Sequence, residues 1–188
     1  QFRQRSGLRP LTGGDFQRTL ASAPLLGAYS PAVIPRPPDW PASAHITGYW
    51  FDDAQSAWQP SAELEAFLSH GQPPVYVGFG SMAGRDPGHF TGIVLQALAQ
   101  TGQRAVLATG WGGMGVVHAP KDVFVLDAAP HGWLFARMAA TVHHGGAGTT
   151  AESLRAGQPT VVVPFIVDQL FWGKRVHALG AGPGPLAA

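Results

Sequence analysis

The sequence predicts an α/β fold, a Rossmann-like parallel sheet covered by helices. Three observations predict it. From Pro73 onward, short runs rich in valine and aromatic residues alternate with amphipathic stretches. The runs have the length of buried strands, and the stretches carry helix start and stop residues. Strands that alternate with helices need crossovers and so pair in parallel. The composition allows a packed core, with 45% hydrophobic and 12% charged residues among 188. That length suits one domain or slightly more.

Each element has its own justification. Residues 1 to 45 are proline-rich, densest in "SPAVIPRPPDWPAS". Proline fixes φ and donates no hydrogen bond, so this part is expected to be extended or irregular. "HITGYWF" reads as a short strand and "SAELEAFLSHG" as a helix capped by Ser61 and stopped by Gly71. "PVYVGFG" is a strand candidate. Asp86 and Pro87 then read as an N-cap and first helical position. Phe90, Ile93, Val94, Ala97 and Leu98 have the spacing of one helix face. "RAVLATG" and "DVFVLD" read as strands, "HGWLFARM" as a short helix and "ATVHH" as a strand. "TTAESLRAG" is a helix ended by Gly157, "TVVVPF" a strand, and "DQLFWGKRVHALG" a helix closed by Gly180. Trp133 reads as a core residue, while Trp111 is unassigned.

Composition excludes several functions. Net charge is +1 and no Lys/Arg run occurs, which argues against nucleic acid as a partner. Without cysteine there is no disulfide framework and no thiolate metal site. No apolar run approaches the roughly 20 residues of a membrane span. The first ten residues lack the apolar core of a signal peptide. A cytoplasmic setting is therefore expected. Abrupt ends at Gln1 and after "AGPGPLAA" lead us to expect a fragment: the tail of one domain, a linker and most of a second.

The loop "HHGGAGTT" joins a strand to a helix. In open α/β sheets ligands bind at the carboxyl ends of strands. Bare backbone at Gly145, Gly146 and Gly148 admits close approach, and a helix N-terminus offers free N–H groups to an anion. A Walker loop would need a lysine, and the dinucleotide fingerprint fails at Thr150-Ala151. A metal held by His143 and His144 is not expected, because strand neighbours point to opposite faces. One histidine should be packed and the other should face the loop. A phosphate cradle and a plain helix start both remain open on the residues alone. Thr149 and Glu152 have capping-box spacing, and Asp168 has the position of an N-cap.

The whole stretch "FVLDAAPHGWLFARMAATVHHGGAGTTAESLRAGQPTVVVPFIVDQLFWGKRV" resembles the donor-binding signature of family 1 glycosyltransferases, which are two-domain GT-B enzymes using nucleotide-activated sugars. "GFGSM", "PH-x-WLF", "HHGGAGTT" and "P-x-x-x-DQ-x-x-W" resemble the sterol and antibiotic glycosyltransferase branch. The resemblance covers residues 73 to 182, with fainter similarity upstream. It implies that residues 1–45 are the tail of an N-terminal acceptor domain. Residues 46–72 would be a linker, and 73–188 a donor domain truncated at its C-terminus. It further implies that His144 contacts the donor diphosphate, with Gly80, Ser81, Gly146, Gly148 and Thr149 around the phosphates. Glu152 corresponds to the carboxylate on the ribose, and Asp168 and Gln169 to the pair on the sugar. The segment from Val125 to His131 faces the nucleobase.

There are departures from the family pattern. Plant relatives carry Trp-x-Pro-Gln, whose tryptophan stacks on uracil; "LDAAPH" has no aromatic there, and His131 stands in place of the glutamine. Base recognition would then use backbone near Val125 and Leu126, and both UDP- and dTDP-sugars remain open. The implied reaction is an inverting hexosyl transfer, of glucose in the first instance, to a lipid-like or natural-product hydroxyl. No cofactor or metal is implied. The general base is expected in the N-terminal domain, and His45 is not assigned to that role. A sterol-like acceptor would bring peripheral membrane contact. Two other classes fit less of the pattern: a non-catalytic nucleotide-sugar binding module and a sugar-nucleotide epimerase. A dinucleotide oxidoreductase is disfavoured because the acid lies eight residues after His144 instead of about 20.

Overall fold

The computed structural model describes residues 2–52, 58–80, 87–109 and 119–186. The chain divides into two compact units, Gln1–Asp52 and Asp53–Ala188.

The first unit holds more regular structure than its prolines led us to expect. Helices α1 (Phe2–Arg5) and α2 (Gly13–Ser22) precede two parallel strands, β1 (Leu25–Gly27) and β2 (Ala44–Ile46). The start of α2 is a capping box. Thr12 accepts from the Asp15 amide while Asp15 accepts from the Thr12 amide. Arg9 and Arg18 both bind Asp15 at 2.7 Å, and these bonds hold its carboxyl well below the usual range. The box uses Asp in place of Glu or Gln, which is why proline content masked it. Downstream, the Arg36 guanidinium donates to the Ala44 and Pro41 carbonyls and so organises the proline-rich turn. The strand expected across "HITGYWF" is confined to its start, and Gly48 turns the chain with φ +80°.

The second unit contains α3 (Ala62–Ser69), β3 (Val75–Gly78), α4 (Pro87–Thr101), β4 (Ala105–Ala108) and β5 (Val123–Leu126). It continues with α5 (His131–Phe135), β6 (Ala140–His143), α6 (Ala147–Arg155), β7 (Thr160–Val162) and α7 (Gln169–Ala178). Five strands form one parallel sheet in the order β5-β4-β3-β6-β7. The chain works outward from β3 in one direction, then returns to lay β6 on its other side. The β3/β6 boundary is therefore the switch point, where open α/β sheets form a crevice. The sequence stretch 46–72, read as a linker, includes α3, which lies in this second unit. Ser61 caps α3 by accepting from the Leu64 amide. Arg104 ties the helix down, stacking 4.2 Å from the Phe67 ring centroid and donating to the Phe67 carbonyl.

Two apolar layers sandwich the sheet. Val77, Phe79, Ala105, Leu107 and Val123 face α4, while Tyr76, Val106 and Phe124 face α5 with Leu134, Phe135 and Met138. Alternation along each strand sends successive side chains to opposite faces. The buried face of α4 is Phe90, Thr91, Val94, Leu95 and Leu98, with Ile93 half exposed and Ala97 exposed. That is one residue round from the predicted stripe, because Phe90 packs on Phe79 and Phe165 and sets the rotation. Trp133, read as a core residue, packs at the margin of the α5-side core. It lies partly exposed between Trp58, edge-on at 5.1 Å, and the Arg137 guanidinium at 4.1 Å. Asp86, Ser81 and Trp111 lie outside the described residues.

The helix α6 is fastened by hydroxyls as well as by apolar contact. Thr141 on β6, Ser153 on α6 and Thr160 on β7 are all fully buried. Their hydroxyls form a chain from Thr141 through Ser153 to Thr160, which donates onward to the Gln158 carbonyl at 3.1 Å. Removing the middle member takes away the buried bond of the Thr141 hydroxyl and one of the two bonds of Thr160, which keeps Gln158. Ser153→Ala should therefore destabilise the fold by about 2 kcal/mol in urea unfolding. A change below about 0.5 kcal/mol would show that the network contributes little.

Candidate functional site: the crevice at the β3/β6 switch point

The strand β6 ends at His143, and His144 follows it in a different environment. His143 is fully buried, and its Nδ1 accepts the Gly145 amide at 3.0 Å. His144 is half-buried, with its ring over the following loop. A Cβ on Gly146 would lie 2.6 Å from His144 Nε2, and one on Gly80 would lie 3.5 Å from its Cε1. The loops after β3 and β6 thus meet at the His144 ring. His144 Nδ1 is buried and, among the described residues, has no hydrogen-bond partner.

The bare loop divides by cause. Gly145 has φ +88°, and a Cβ there would meet Val162 Cγ1 at 2.6 Å and the Gln169 carbonyl at 3.0 Å. Its missing side chain makes room for β7 and α7, not for a ligand. The space beside Gly146 is filled by His144. At Gly148 a side chain would meet nothing within 4 Å, so that glycine alone leaves open space.

The helix α6 begins at Ala147, two residues earlier than expected. Its N-cap is Gly146, with no side-chain cap bond. Thr149 therefore lies inside the first turn, and the Thr149/Glu152 capping box does not form. Glu152 instead reaches toward α5: a Cβ on Gly132 would lie 3.4 Å from its Oε2. His131, beside that glycine, stacks on Phe135 with ring centroids 4.6 Å apart and meets Tyr76 edge-on. Asp168 precedes α7 without capping it by its side chain, and its Oδ2 accepts from Trp172 Nε1 at 3.3 Å. Asp168 is exposed and acts electrostatically on His144. Gln169 points inward, only 4% exposed, and its Oε1 accepts from the amides of Phe165 and Ile166 at 2.7 and 3.0 Å. This clamp shapes a loop in which Val167 takes φ +24° while 92% exposed. Val125 sits within β5, paired with Leu107, and the Leu126 carbonyl accepts from Thr109. Ser81 falls outside the described residues.

At the crevice Gly80 and Gly146 thus adjoin the His144 ring, His131 and His144 interact electrostatically as do Asp168 and His144, Glu152 lies beside Gly132, and Gly148 and Thr149 belong to the first turn of α6. Gln169 shapes the crevice wall from behind, and Val125 stands further along the sheet. The sequence reading missed the work of His143, although a histidine two residues before a left-handed glycine was there to be seen.

The electrostatics are those of neutral donors. Burial lowers the pKa of all three histidines. His143 is pushed down to about 3, by burial first and then by His144 and His131. For His144 burial also dominates, with Asp168 acting in the opposite sense. Among the described residues no group of three or more His, Asp or Glu side chains has metal-binding placement. No helix there is long and apolar enough to cross a membrane.

Comparison with known proteins gives one family. Residues 93–186 match the model described as erythromycin biosynthesis protein CIII-like, C-terminal domain. A sterol 3-beta-glucosyltransferase of Arabidopsis thaliana is 46% identical over 181 residues, covering 95% of this chain and 28% of the relative. The chain thus spans less than a third of that curated relative. Among solved structures, the glycotransferase of kitacinnamycin superposes with a TM-score of 0.66 at 23% identity, covering 96% of this chain and 46% of that one. A UDP-glucose: anthocyanidin 3-O-glucosyltransferase in complex with UDP gives a TM-score of 0.50 at 25% identity, covering 60% of this chain and 27% of that one. The parallel sheet is accordingly that of GT-B glycosyltransferases.

The lowered histidines fix the sign of a pH effect. Unfolding restores their ordinary affinity for protons, so the unfolded chain binds more protons below about pH 6.5. Stability is complete above that pH and falls as the medium is acidified toward pH 5. Urea midpoints at pH 7.5 and 5 should differ, the acid value being lower. Equal midpoints would contradict the burial of neutral imidazoles.

Proposed function

The chain belongs to the erythromycin biosynthesis protein CIII-like C-terminal domain family, and from that premise we propose that it is the donor-binding part of an inverting glycosyltransferase. The donor is a uridine diphosphate sugar, glucose in the first instance. The acceptor is a hydroxyl on a sterol-like or natural-product molecule, met in a cytoplasmic setting or at a membrane surface. Residues 1–45 belong to the acceptor side, which also supplies the general base. The names of the relatives support the sugar and the acceptor class. The complex of a similar enzyme with UDP supports uridine over thymidine.

One observation carries the reading. The helix α6 opens toward the His144 ring with no side-chain cap, as α5 and α7 also do beside it, while α2 and α3 are capped by Thr12 and Ser61. Its first amides lack intrahelical acceptors and carry the positive end of the helix dipole. Gly148, at a cost of about 1 kcal/mol relative to alanine in a helix, keeps that end clear. A diphosphate satisfies these donors.

The chemistry follows from the charge that develops. As the acceptor oxygen forms its bond to the anomeric carbon, the bond to the diphosphate oxygen breaks and negative charge grows on the leaving group. His144 and the α6 amides stabilise that charge. A neutral imidazole serves here because it donates without holding the product as a full cation would. Gly80, Gly146 and Thr149 line the phosphates, and Glu152 receives the ribose hydroxyls. His131 and the backbone beyond Val125 border the base. Asp168 grips the sugar, while Gln169 holds its loop in place and presents the remaining amide nitrogen. Fixing the ring this way lowers the orientational part of the barrier.

Calorimetric titration tests the donor site. UDP should bind, and uridine without phosphates should bind at least about tenfold more weakly. Equal affinity, or no binding by UDP, would contradict a diphosphate cradle. In a two-domain enzyme that includes this chain, His144→Ala should lower kcat by about a hundredfold with a smaller change in donor KM. Unchanged turnover would make His144 structural.

A further inference from the structure

We propose that His143 is a positioning residue for the donor site, held as one neutral tautomer that fixes the turn at Gly145. This rests on the diphosphate reading of the crevice and names a residue that reading does not use. A backbone amide can only donate, so the Gly145 bond requires a bare lone pair on His143 Nδ1. The ring hydrogen must then be on Nε2. That atom is buried and has no partner among the described residues, a cost that packing alone does not explain.

The location gives the tautomer its consequence. His143 is the last residue of β6, paired with Gly78 on β3 and Val162 on β7. It therefore lies at the switch point itself. The amide it accepts belongs to the residue whose Cα faces the start of α7: a Cβ on Gly145 would meet Gln169 backbone atoms at 3.0 and 3.5 Å. One hydrogen bond thus sets the turn on which two groups depend. His144 and the α6 amides lie immediately after it, and Asp168 lies beside the α7 start that it touches.

Protonation of His143 would place a hydrogen on Nδ1 and break the bond. The charged and titratable groups near it disfavour that event. His144, the next residue, and His131 from α5 both add to the effect of burial; Asp168 acts on His144 in the opposite sense, and Glu152 lies beside Gly132, next to His131. Two neighbours of the same kind thus reinforce the neutral form, and the Gly145 amide selects its tautomer.

Two substitutions separate shape from hydrogen bonding. His143→Leu keeps apolar volume without an acceptor, and His143→Asn puts an amide oxygen near the Nδ1 position. By calorimetry with UDP, His143→Leu should weaken binding about tenfold, and His143→Asn should remain within about threefold of the parent chain. Equal binding by His143→Leu, or equal loss in both variants, would overturn the proposal. The ligand-free parent chain gives a second readout. Histidine nitrogen spectra should show Nδ1 unprotonated from pH 5 to 8, and Gly145 should be among the slowly exchanging amides. An Nδ1–H tautomer, or titration of His143 near pH 6.5, would overturn it. These spectra decide even where His143→Leu fails to fold. A parent chain that binds no UDP contradicts the nucleotide reading, and the nitrogen spectra with Gly145 exchange still decide the role of His143.

Discussion

Gly145 has no room for a side chain, and the architecture of the crevice follows from that constraint. The β6–α6 loop must turn there with φ +88° while Val162 and the α7 backbone press against its Cα. The turn puts His144 over Gly146 and starts α6 at Ala147. The same contact brings the α7 start, with Asp168, to the loop. Two features resist a shift: the His143 bond to the Gly145 amide, and the hydroxyl chain through Ser153 that pins α6 to β6 and β7. Alanine at Gly145 would be strained both in backbone and in space.

Around this fixed turn the protein leaves particular groups unsatisfied. The α6 N-terminus lacks a side-chain cap, and His144 Nδ1 is buried without a hydrogen-bond partner among the described residues. Away from the crevice α2 and α3 have side-chain caps, and the Asp15 carboxylate of the α2 box accepts five hydrogen bonds from Arg9, Thr12 and Arg18. Local rules are thus kept away from the crevice and relaxed within it, which is the pattern of a functional site. Burial keeps the three histidines neutral, so the crevice offers hydrogen-bond donors with little fixed positive charge. Such a site can stabilise a departing anion and still release it.

The sequence made the strand–helix alternation plain, since apolar runs and capping residues are local signals. The crevice was legible as a glycine-rich strand-to-helix turn, and its residues through likeness to a family. What stayed hidden depends on tertiary contact. Thr149 and Glu152 have capping-box spacing, yet the helix starts at Ala147, because Gly145 turns against α7. Gln169 reads as a sugar contact, but its oxygen clamps the Phe165–Ile166 amides across its own loop. Ile93 fits a helical stripe, yet Phe90 rotates α4 by meeting Phe79 and Phe165. Gly145 and Gly146 look alike in sequence, and only coordinates show protein atoms beside both. In the first unit, attention to proline hid a capping box built on aspartate.

The central claim is that the β3/β6 switch point is an anion site made of uncapped backbone. Amide chemical-shift mapping during titration with UDP tests it most directly, because it reads each backbone N–H separately. The account predicts the largest shifts at Gly146, Ala147, Gly148 and Thr149, with smaller ones at Gly80 and Asp168. The α2 and α3 starts, already capped, should stay still. Shifts concentrated at those capped helices, or spread along the sheet away from α6, would contradict it.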